Sequence, residues 1–273
     1  MKGMEERDLT DWQGFEFELQ RLRVELKHAS SRLLFRGQSD SQNRLATTLE
    51  RNGYEGMRFS DYYRVTNRIK PAVETFTGMK WDLPHPAGDF LVSFHDIQLL
   101  SNLQYPSVDY YRYLVYLRHH GFPSPLLDWS YSPFVAAFFA FRNPIAKTEK
   151  RSIYVYCEAP QGTKGGVVGE PTIRPIGPYV RSHARHFRQQ ADYTICGRFD
   201  NDLGWVFSPH EPVFGGRGRQ DFLWKFNLPS TERLNVLRSL DDHNLNAFSL
   251  FDSEETLLET MWVREHVLQG GDK

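Results

Sequence analysis

Residues 126–141 read LLDWSYSPFVAAFFAF and contain the most informative pattern in the sequence. The short apolar run at residues 126–129 indicates a strand. Ser132 followed by Pro133 pairs a typical N-cap residue with a proline suited to the first helical turn. The helix that this predicts is apolar on every side, which indicates that it lies in the core. The segment therefore predicts a strand joined by a tight turn to a buried helix.

Helical and strand-like patterns are interspersed on both sides of this segment. Thr10 and Gln13 have the spacing of a capping box, and apolar residues recur after them every three or four positions. A second helical pattern runs through residues 60–79 until Pro71 interrupts it, and a third, residues 108–120, ends at a glycine. Further helices are expected to begin at residues 230 and 253. Strands are expected at residues 32–37, 126–129, 152–157, 192–196 and 222–226.

This mixture predicts an α+β fold with small mixed or antiparallel sheets flanked by helices. The 273 residues, of which 14% are aromatic, are enough to build a large core. No internal repeat and no linker separates two cores. We interpret residues 1–273 as a single domain with a core at about residues 15–265.

Charge and cysteine content exclude several classes of protein. A formal net charge of -1 excludes a polycation that coats nucleic acid or anionic membrane. Cys157 and Cys196 form no CxxC motif, which suits a reducing compartment. Residues 1–30 are polar and periodic, unlike a secretory signal, and no apolar run approaches the length of a membrane-spanning helix. We expect a cytoplasmic protein without a membrane partner.

Three motifs follow one another in a recognisable order. The first is FRGQSD at residues 35–40, and the second is HHGFPSPLLDWS at residues 119–130. The third, residues 185–195, contains Gln189 and Gln190. In this order the motifs resemble those of the FRG domain.

The resemblance extends over about residues 15–265, so the single domain is identified as an FRG domain. Two positions depart from the family pattern. Ser124 and Pro125 stand where the family more often has Thr-Arg, and Ala191 stands where it tends to have glycine. The order of the motifs is unaffected by these departures.

The FRG motifs are in turn similar to those of ADP-ribosyltransferases. In the arginine-type branch of that fold, a first strand ends in aromatic-Arg-Gly, which Phe35, Arg36 and Gly37 match. A second strand precedes a Ser/Thr pair and an alanine-rich buried helix, as in residues 127–140. The resemblance implies an ADP-ribosyltransferase-like fold that uses NAD as a substrate; no metal is expected.

The resemblance also implies which residues form the site. The expected catalytic residues are Arg36, Ser130, Asp128 and Gln190. The expected NAD-binding residues are Phe35, Arg36, Gly37, Gln38, His120, Trp129 and Tyr131. A guanidinium such as that of Arg36 binds phosphate oxygens two at a time. Gly37 would allow close approach of the ligand, and Trp129 or Tyr131 could stack on nicotinamide.

The carboxylate of such a site is not evident. The transferase pattern requires a glutamate on a late strand, but the matching segment contains Gln189 and Gln190. The remaining candidates are Asp128, Asp192, Glu170 and Glu211. A site without this glutamate favours the alternative of a module that senses NAD or another nucleotide without turnover.

Several candidate residues also have structural interpretations. Arg36 could pair with an internal acid such as Asp128 and thereby lock the sheet. His119 and His120 end a predicted helix, where a cationic histidine is favoured by the helix dipole. The ten histidines are scattered without the spacing of a metal site.

A local excess of arginine between residues 174 and 198 suggests a second binding surface. Arg181, Arg185 and Arg188, with Phe187 and Tyr193 interleaved, could hold a nucleic-acid backbone and stack a base. Alternatively, these arginines face solvent or contact the NAD phosphates.

Two functional hypotheses follow. The first is an NAD-dependent ADP-ribosyltransferase that acts on a nucleic acid or a protein, as a toxin or phage-defence effector neutralised by an antitoxin protein. The second is the nucleotide sensor. A nuclease would require clustered metal-binding carboxylates, which the sequence does not provide.

Overall fold

The protein is described by a computed structural model that covers residues 3–29, 31–86, 89–100, 105–143, 148–160, 162, 164–165, 169–178, 180, 184–215 and 220–271. These residues form an eight-stranded sheet. Its strands are β1 (Met4–Asp8), β2 (Leu34–Gln38), β3 (Leu127–Ser130), β4 (Lys150–Cys157), β5 (Thr172–Pro175), β6 (Ala191–Asp200), β7 (Gly204–Phe207) and β8 (Phe222–Pro229). The strand order is β1-β8-β4-β2-β3-β6-β5, and β7 pairs with β6.

The helices are α1 (Trp12–Glu25), α2 (Thr48–Arg51), α3 (Phe59–Thr77), α4 (Asp89–Val92), α5 (Val108–His119), α6 (Pro133–Phe141), α7 (Ala184–Arg188), α8 (Arg233–Asp242), α9 (Ala247–Phe251) and α10 (Glu254–Trp262). Short 3-10 turns occupy Ser93–His95, Glu211–Gly215 and Ser230–Glu232, and a π-helical segment covers Val263–Gly271. β1 pairs parallel to β8, whereas the other described pairs are antiparallel. The sheet is therefore mixed, and the predicted α+β class is confirmed.

The sheet is covered differently on its two halves. Helices α1, α6 and α8 pack on β2, β4 and β8, whereas α3 and α5 pack on β6 and β7. Alternation along β4 separates the two faces, because Ile153 and Val155 join the first helical layer while Tyr154 and Tyr156 point to the opposite face. Along the strand order, the first layer covers strands up to β2 and the second covers β6, with β3 between them.

Helix α6 is the central element of the first layer. The Ser132 hydroxyl accepts a hydrogen bond from the Val135 amide at 3.3 Å, and Pro133 occupies the first turn, as predicted. Its alanines allow an unusually close approach to β2. A Cβ placed on Gly37 would lie 1.8 Å from the carbonyl oxygen of Ala136. Gly37 is therefore required for contact between the backbones of β2 and α6, whatever ligand approaches it.

Two local expectations are wrong in detail. Helix α3 continues through Pro71 to Thr77, because the loss of one amide donor at an exposed position does not outweigh the burial of Phe59 and Tyr62 on its inner face. The capping box predicted from Thr10 and Gln13 is not the cap of helix α1, because Asp11 caps this helix with a carboxylate that accepts a hydrogen bond from the Gly14 amide.

No described helix combines the length and the apolar composition that a membrane span requires.

Replacing Gly37 tests the contact between β2 and α6. We expect Gly37→Ala to lower the free energy of unfolding by about 3 kcal/mol, because the added methyl group meets backbone atoms of the core helix. The matched control is Gly14→Ala, whose methyl group has room in α1 and should raise stability by roughly 0.5–1 kcal/mol. Urea denaturation measures both, and equal midpoints for the two variants would contradict this packing.

Candidate functional site

A cavity of about 920 Å³ opens where β2 and β3 meet. The two strands are joined through a single residue pair, Phe35 opposite Ser130. The cavity is bounded by these strands, by the segment around α2, by the end of α5 and by α7. The predicted site residues that line it are Phe35, Arg36, Gly37, Gln38, Asp128, Trp129, Ser130 and Arg185. The structure thus brings together residues from all three motifs, with Arg185, Gln189, Ala191 and Tyr193 from the third.

Arg36 spans the junction between the two strands. Its Nη1 donates to the carbonyl oxygen of Asp128 at 2.9 Å and lies 2.7 Å from Asp128 Oδ1. The guanidinium therefore joins β2 to β3 next to the single ladder pair. The ion pair between Arg36 and Asp128, one of the two roles considered for Arg36, is present.

Arg118 of α5 is a second partner of the same carboxylate. Its Nη2 donates to Asp128 Oδ1, and its Nη1 donates to Thr48 Oγ1 of α2 at 3.3 Å. Burial alone would raise the pKa of Asp128, but Arg118 and Arg36 outweigh burial and hold this pKa well below its usual range. Asp128 is thus a stable anion between two guanidinium groups.

Arg51 of α2 adds a third guanidinium group to the cavity. Much of its side chain is exposed, and the guanidinium makes no hydrogen bond or ion pair with any residue that the structure describes. Partial burial, Arg36 and Arg118 together lower the pKa of Arg51. Three arginines therefore lie close enough to interact at this end of the cavity, and two of them pair with Asp128.

The cavity as a whole is positive. Its lining includes five arginines and three acids, which gives a formal charge of +2 with histidine neutral. The arginines are Arg36, Arg44, Arg51, Arg118 and Arg185, and the acids are Glu50, Glu55 and Asp128. An anionic ligand would balance this charge.

Trp129 and Ser130 line the cavity, but both have partners within the protein. Trp129 Nε1 donates to Thr194 Oγ1 at 2.8 Å. The Ser130 hydroxyl donates to the Gln189 carbonyl at 2.7 Å and accepts from the Ser132 amide at 3.0 Å. Ser130 therefore stabilises the turn between β3 and α6.

Three other predicted residues lie outside the cavity lining. The Gln190 carbonyl accepts from the Tyr131 amide, and the side chain that lines the cavity belongs to Gln189. The Tyr131 hydroxyl donates to Asp192. His120 is exposed and stacks on Tyr116 with ring centroids 4.2 Å apart, whereas its neighbour His119 lines the cavity.

The predicted arginine surface is divided among several places. Arg185 lines the cavity, and its guanidinium lies 5.5 Å from the centre of the Phe251 ring. Arg188 pairs with Asp252 at 2.7 Å, away from the cavity lining. Arg181 lies outside the described residues.

The carboxylates that line the cavity include two that the motifs did not single out. Glu50 completes a capping box with Thr47 at the start of α2, and burial raises its pKa. Glu55 lies on the following turn. The Thr-x-x-Glu pattern at residues 47–50 is the signal that could have located this wall of the cavity.

The other carboxylate candidates lie elsewhere. Asp192 accepts hydrogen bonds from the Gly177 amide and the Tyr131 hydroxyl, and Glu211 accepts from the Leu45 amide. Glu170 is exposed and does not line the cavity. Among the described residues, no three His, Cys, Asp or Glu side chains are grouped so that they could hold a metal ion.

Asp128→Asn tests the ion pairs at the junction. We expect the variant to lose about 1–2 kcal/mol of unfolding free energy at pH 7, less than for a fully buried pair because 45% of the Asp128 side chain is exposed. The folded-state pKa of Asp128 is depressed, so its contribution is fully present above the ordinary carboxyl pKa of about 4, shrinks as pH falls below that value and is lost as pH falls through the folded-state pKa. Urea titrations of both proteins between pH 7 and pH 3 measure this; a difference that does not shrink at low pH would contradict the assignment.

Comparison with known proteins supports part of the resemblance seen in the motifs. The family model described as FRG domain matches residues 31–149, which is less than half of the chain. This range contains the first two motifs, α2, α5, α6 and the three arginines around Asp128. Searches of curated proteins and of solved structures found no significant match. Residues 31–149 therefore have the sequence pattern of the FRG domain family.

Proposed function

We propose that the cavity binds NAD and that the protein transfers the ADP-ribose of NAD to a macromolecule, either a nucleic acid or a protein. The observation that carries this proposal is the group formed by Arg36, Arg51 and Arg118, in which Arg36 and Arg118 pair with Asp128. Guanidinium groups bind phosphate oxygens with paired hydrogen bonds. A pyrophosphate would supply the negative charge that this end of the cavity lacks.

The size and the walls of the cavity support a dinucleotide. A volume of about 920 Å³ is near the upper end for small-molecule sites. Phe35, Phe139 and Phe251 line the cavity beside the arginines. Aromatic side chains can stack on planar rings such as nicotinamide and adenine. The cavity thus combines cationic and aromatic groups, as a ligand with phosphates and flat rings requires.

The proposed reaction requires little covalent chemistry from the protein itself. Transfer breaks the bond between nicotinamide and ribose through a sugar with cationic character. The protein must hold the pyrophosphate, orient the ribose and exclude water. We assign the first task to Arg36 and Arg51. The order of a strand ending in Phe35-Arg36-Gly37 and a second strand leading into α6 supports an ADP-ribosyltransferase-like arrangement.

Binding of a nucleotide without turnover is the second candidate. The observation that favours it is the neutralisation of Asp128 by Arg36 and Arg118. A carboxylate held in this way contributes little to stabilising a cationic sugar. In this case the protein acts as a sensor, and the bound NAD remains intact.

We also propose a biological setting for the transferase. Addition of ADP-ribose to an essential macromolecule would stop its function, which suits a toxin or a phage-defence effector. A cell that contains such an enzyme needs an antitoxin protein to neutralise it. The positive cavity offers such an inhibitor a place to insert an acidic segment.

Mass spectrometry separates the two candidates. Purified protein and NAD are incubated with the RNA, the DNA and the protein fraction of a cell lysate, each fraction in its own reaction. For the transferase we expect one acceptor fraction to gain the mass of ADP-ribose while free nicotinamide appears. Bound but intact NAD would establish the sensor, and absence of NAD binding would reject both.

Arg51→Gln tests the phosphate site without disturbing the fold, because the Arg51 side chain has no partner among the described residues. We expect the Kd for NAD to rise about tenfold at moderate salt, which corresponds to loss of one charge-assisted contact. The control is Arg68→Gln on the exposed face of α3, away from the cavity lining. Isothermal titration calorimetry measures both, and equal Kd values for the two variants would remove Arg51 from the site.

A further inference from the structure

His119 and Tyr193 form a hydrogen-bonded pair in the wall of the cavity. His119 Nε2 lies 3.2 Å from the Tyr193 hydroxyl, and both residues line the cavity. The neighbouring His120 makes a contact typical of a helix end, with Nδ1 2.8 Å from the Tyr116 carbonyl. The two adjacent histidines of the second motif therefore have different environments.

Tyr193 is a rigid support for this imidazole. Only 1% of its surface is exposed, and its ring packs between those of Tyr111 and His186, with centroids 6.0 and 5.8 Å away. Burial raises the pKa of the Tyr193 hydroxyl, which therefore stays protonated at neutral pH. A hydroxyl held in this way fixes the orientation of the His119 ring.

The pair lies directly beside the arginine group. Tyr193 of β6 is the ladder partner of Asp128 in β3, and His119 follows Arg118 at the end of α5. A ligand whose phosphates contact Arg36 and Arg118 would therefore extend past the imidazole. Histidine exchanges a proton near neutral pH more readily than other side chains.

We propose that His119 is the proton acceptor of the transfer step and that Tyr193 positions its ring. This inference rests on the proposed transferase function, and it identifies the class of acceptor. The acceptor is a neutral hydroxyl or N–H group, whose proton must leave when it reacts. Groups of this kind occur on both nucleic acids and proteins.

The proposed step forms one bond to the ribose of NAD and breaks another. The acceptor oxygen or nitrogen forms a bond to ribose C1′ while the bond from C1′ to the nicotinamide nitrogen breaks. The electron pair of the broken bond neutralises the pyridinium, and nicotinamide leaves as a neutral molecule. The acceptor proton passes to the imidazole of His119, which returns it to water.

The test compares His119→Ala with wild type, using NAD and whichever of the RNA, DNA or protein fractions accepts ADP-ribose. We expect kcat to fall at least about 100-fold with KM for NAD changed by no more than about twofold. Added imidazole should restore at least about tenfold of the lost rate, because it fills the space of the missing ring. The control is His243→Ala, an exposed histidine at the end of α8 whose Nδ1 lies 2.7 Å from the Ser239 carbonyl.

Tyr193→Phe provides the second variant and removes only the hydroxyl. We expect its kcat to fall about tenfold at unchanged KM, since the imidazole is retained but less well oriented. If His119→Ala does not fold, as judged by its melting temperature, this variant decides the question. If the kcat of Tyr193→Phe then equals that of the wild type, the inference is overturned.

The outcomes distinguish this inference from the proposed function. An active wild type with an equally active His119→Ala overturns the role of His119 and leaves the transferase in place. Loss of activity that imidazole does not restore, with Tyr193→Phe unaffected, also overturns it. A wild type that releases no nicotinamide and modifies no fraction rejects the transferase and this inference together.

Discussion

The carboxylate of Asp128, paired with Arg36 and Arg118, is the interaction on which the site depends. β2 and β3 share a single ladder pair at the boundary between the two halves of the sheet. At that boundary, Arg36 of β2 and Arg118 of α5 converge on one anion of β3. Without this anion, two cations would face each other beside a weak junction. The ion pairs therefore hold together the place where the cavity opens, and they fix the orientation of two of its arginines.

Local sequence signals account for much of the fold. The turn from β3 into α6 was predictable because its N-cap, its proline and the apolar helix are adjacent in sequence. β1 was not predictable, because its sequence MEERD shows no apolar alternation and its partner β8 lies more than 200 residues away. Short strands at the edges of a sheet, such as β1 and β5, need little apolar sequence because they pair on one side only. Their pairing is therefore a tertiary effect that the local pattern does not report.

The site was predictable where motif residues lie on strands that meet. Arg36 and Asp128 come together because the two motifs occupy adjacent strands. The predicted residues His120 and Gln190 lie outside the cavity lining, whereas their neighbours His119 and Gln189 line it. Side chains of successive residues point in directions about 100° apart at the end of α5, where His119 and His120 lie. Gln190 follows α7 in a left-handed backbone conformation, which local sequence pattern does not indicate. Arg51 and Arg118 belong to helices whose charge pattern is also typical of a solvated face, so their convergence required the structure.

The distribution of charge separates two tasks within the cavity. Asp128 stays ionised because two guanidinium groups surround it, and its protonation would leave both without a counterion. A carboxylate with such a low pKa is a weak base, so it is suited to organising arginines and not to accepting a proton. Any proton transfer in the cavity therefore falls to another group. The imidazole of His119 is hydrogen-bonded to Tyr193, the ladder partner of Asp128, and histidine is the side chain that proteins most often use for proton exchange. Under the proposed function, the same junction binds an anion through its arginines and exchanges a proton through its histidine.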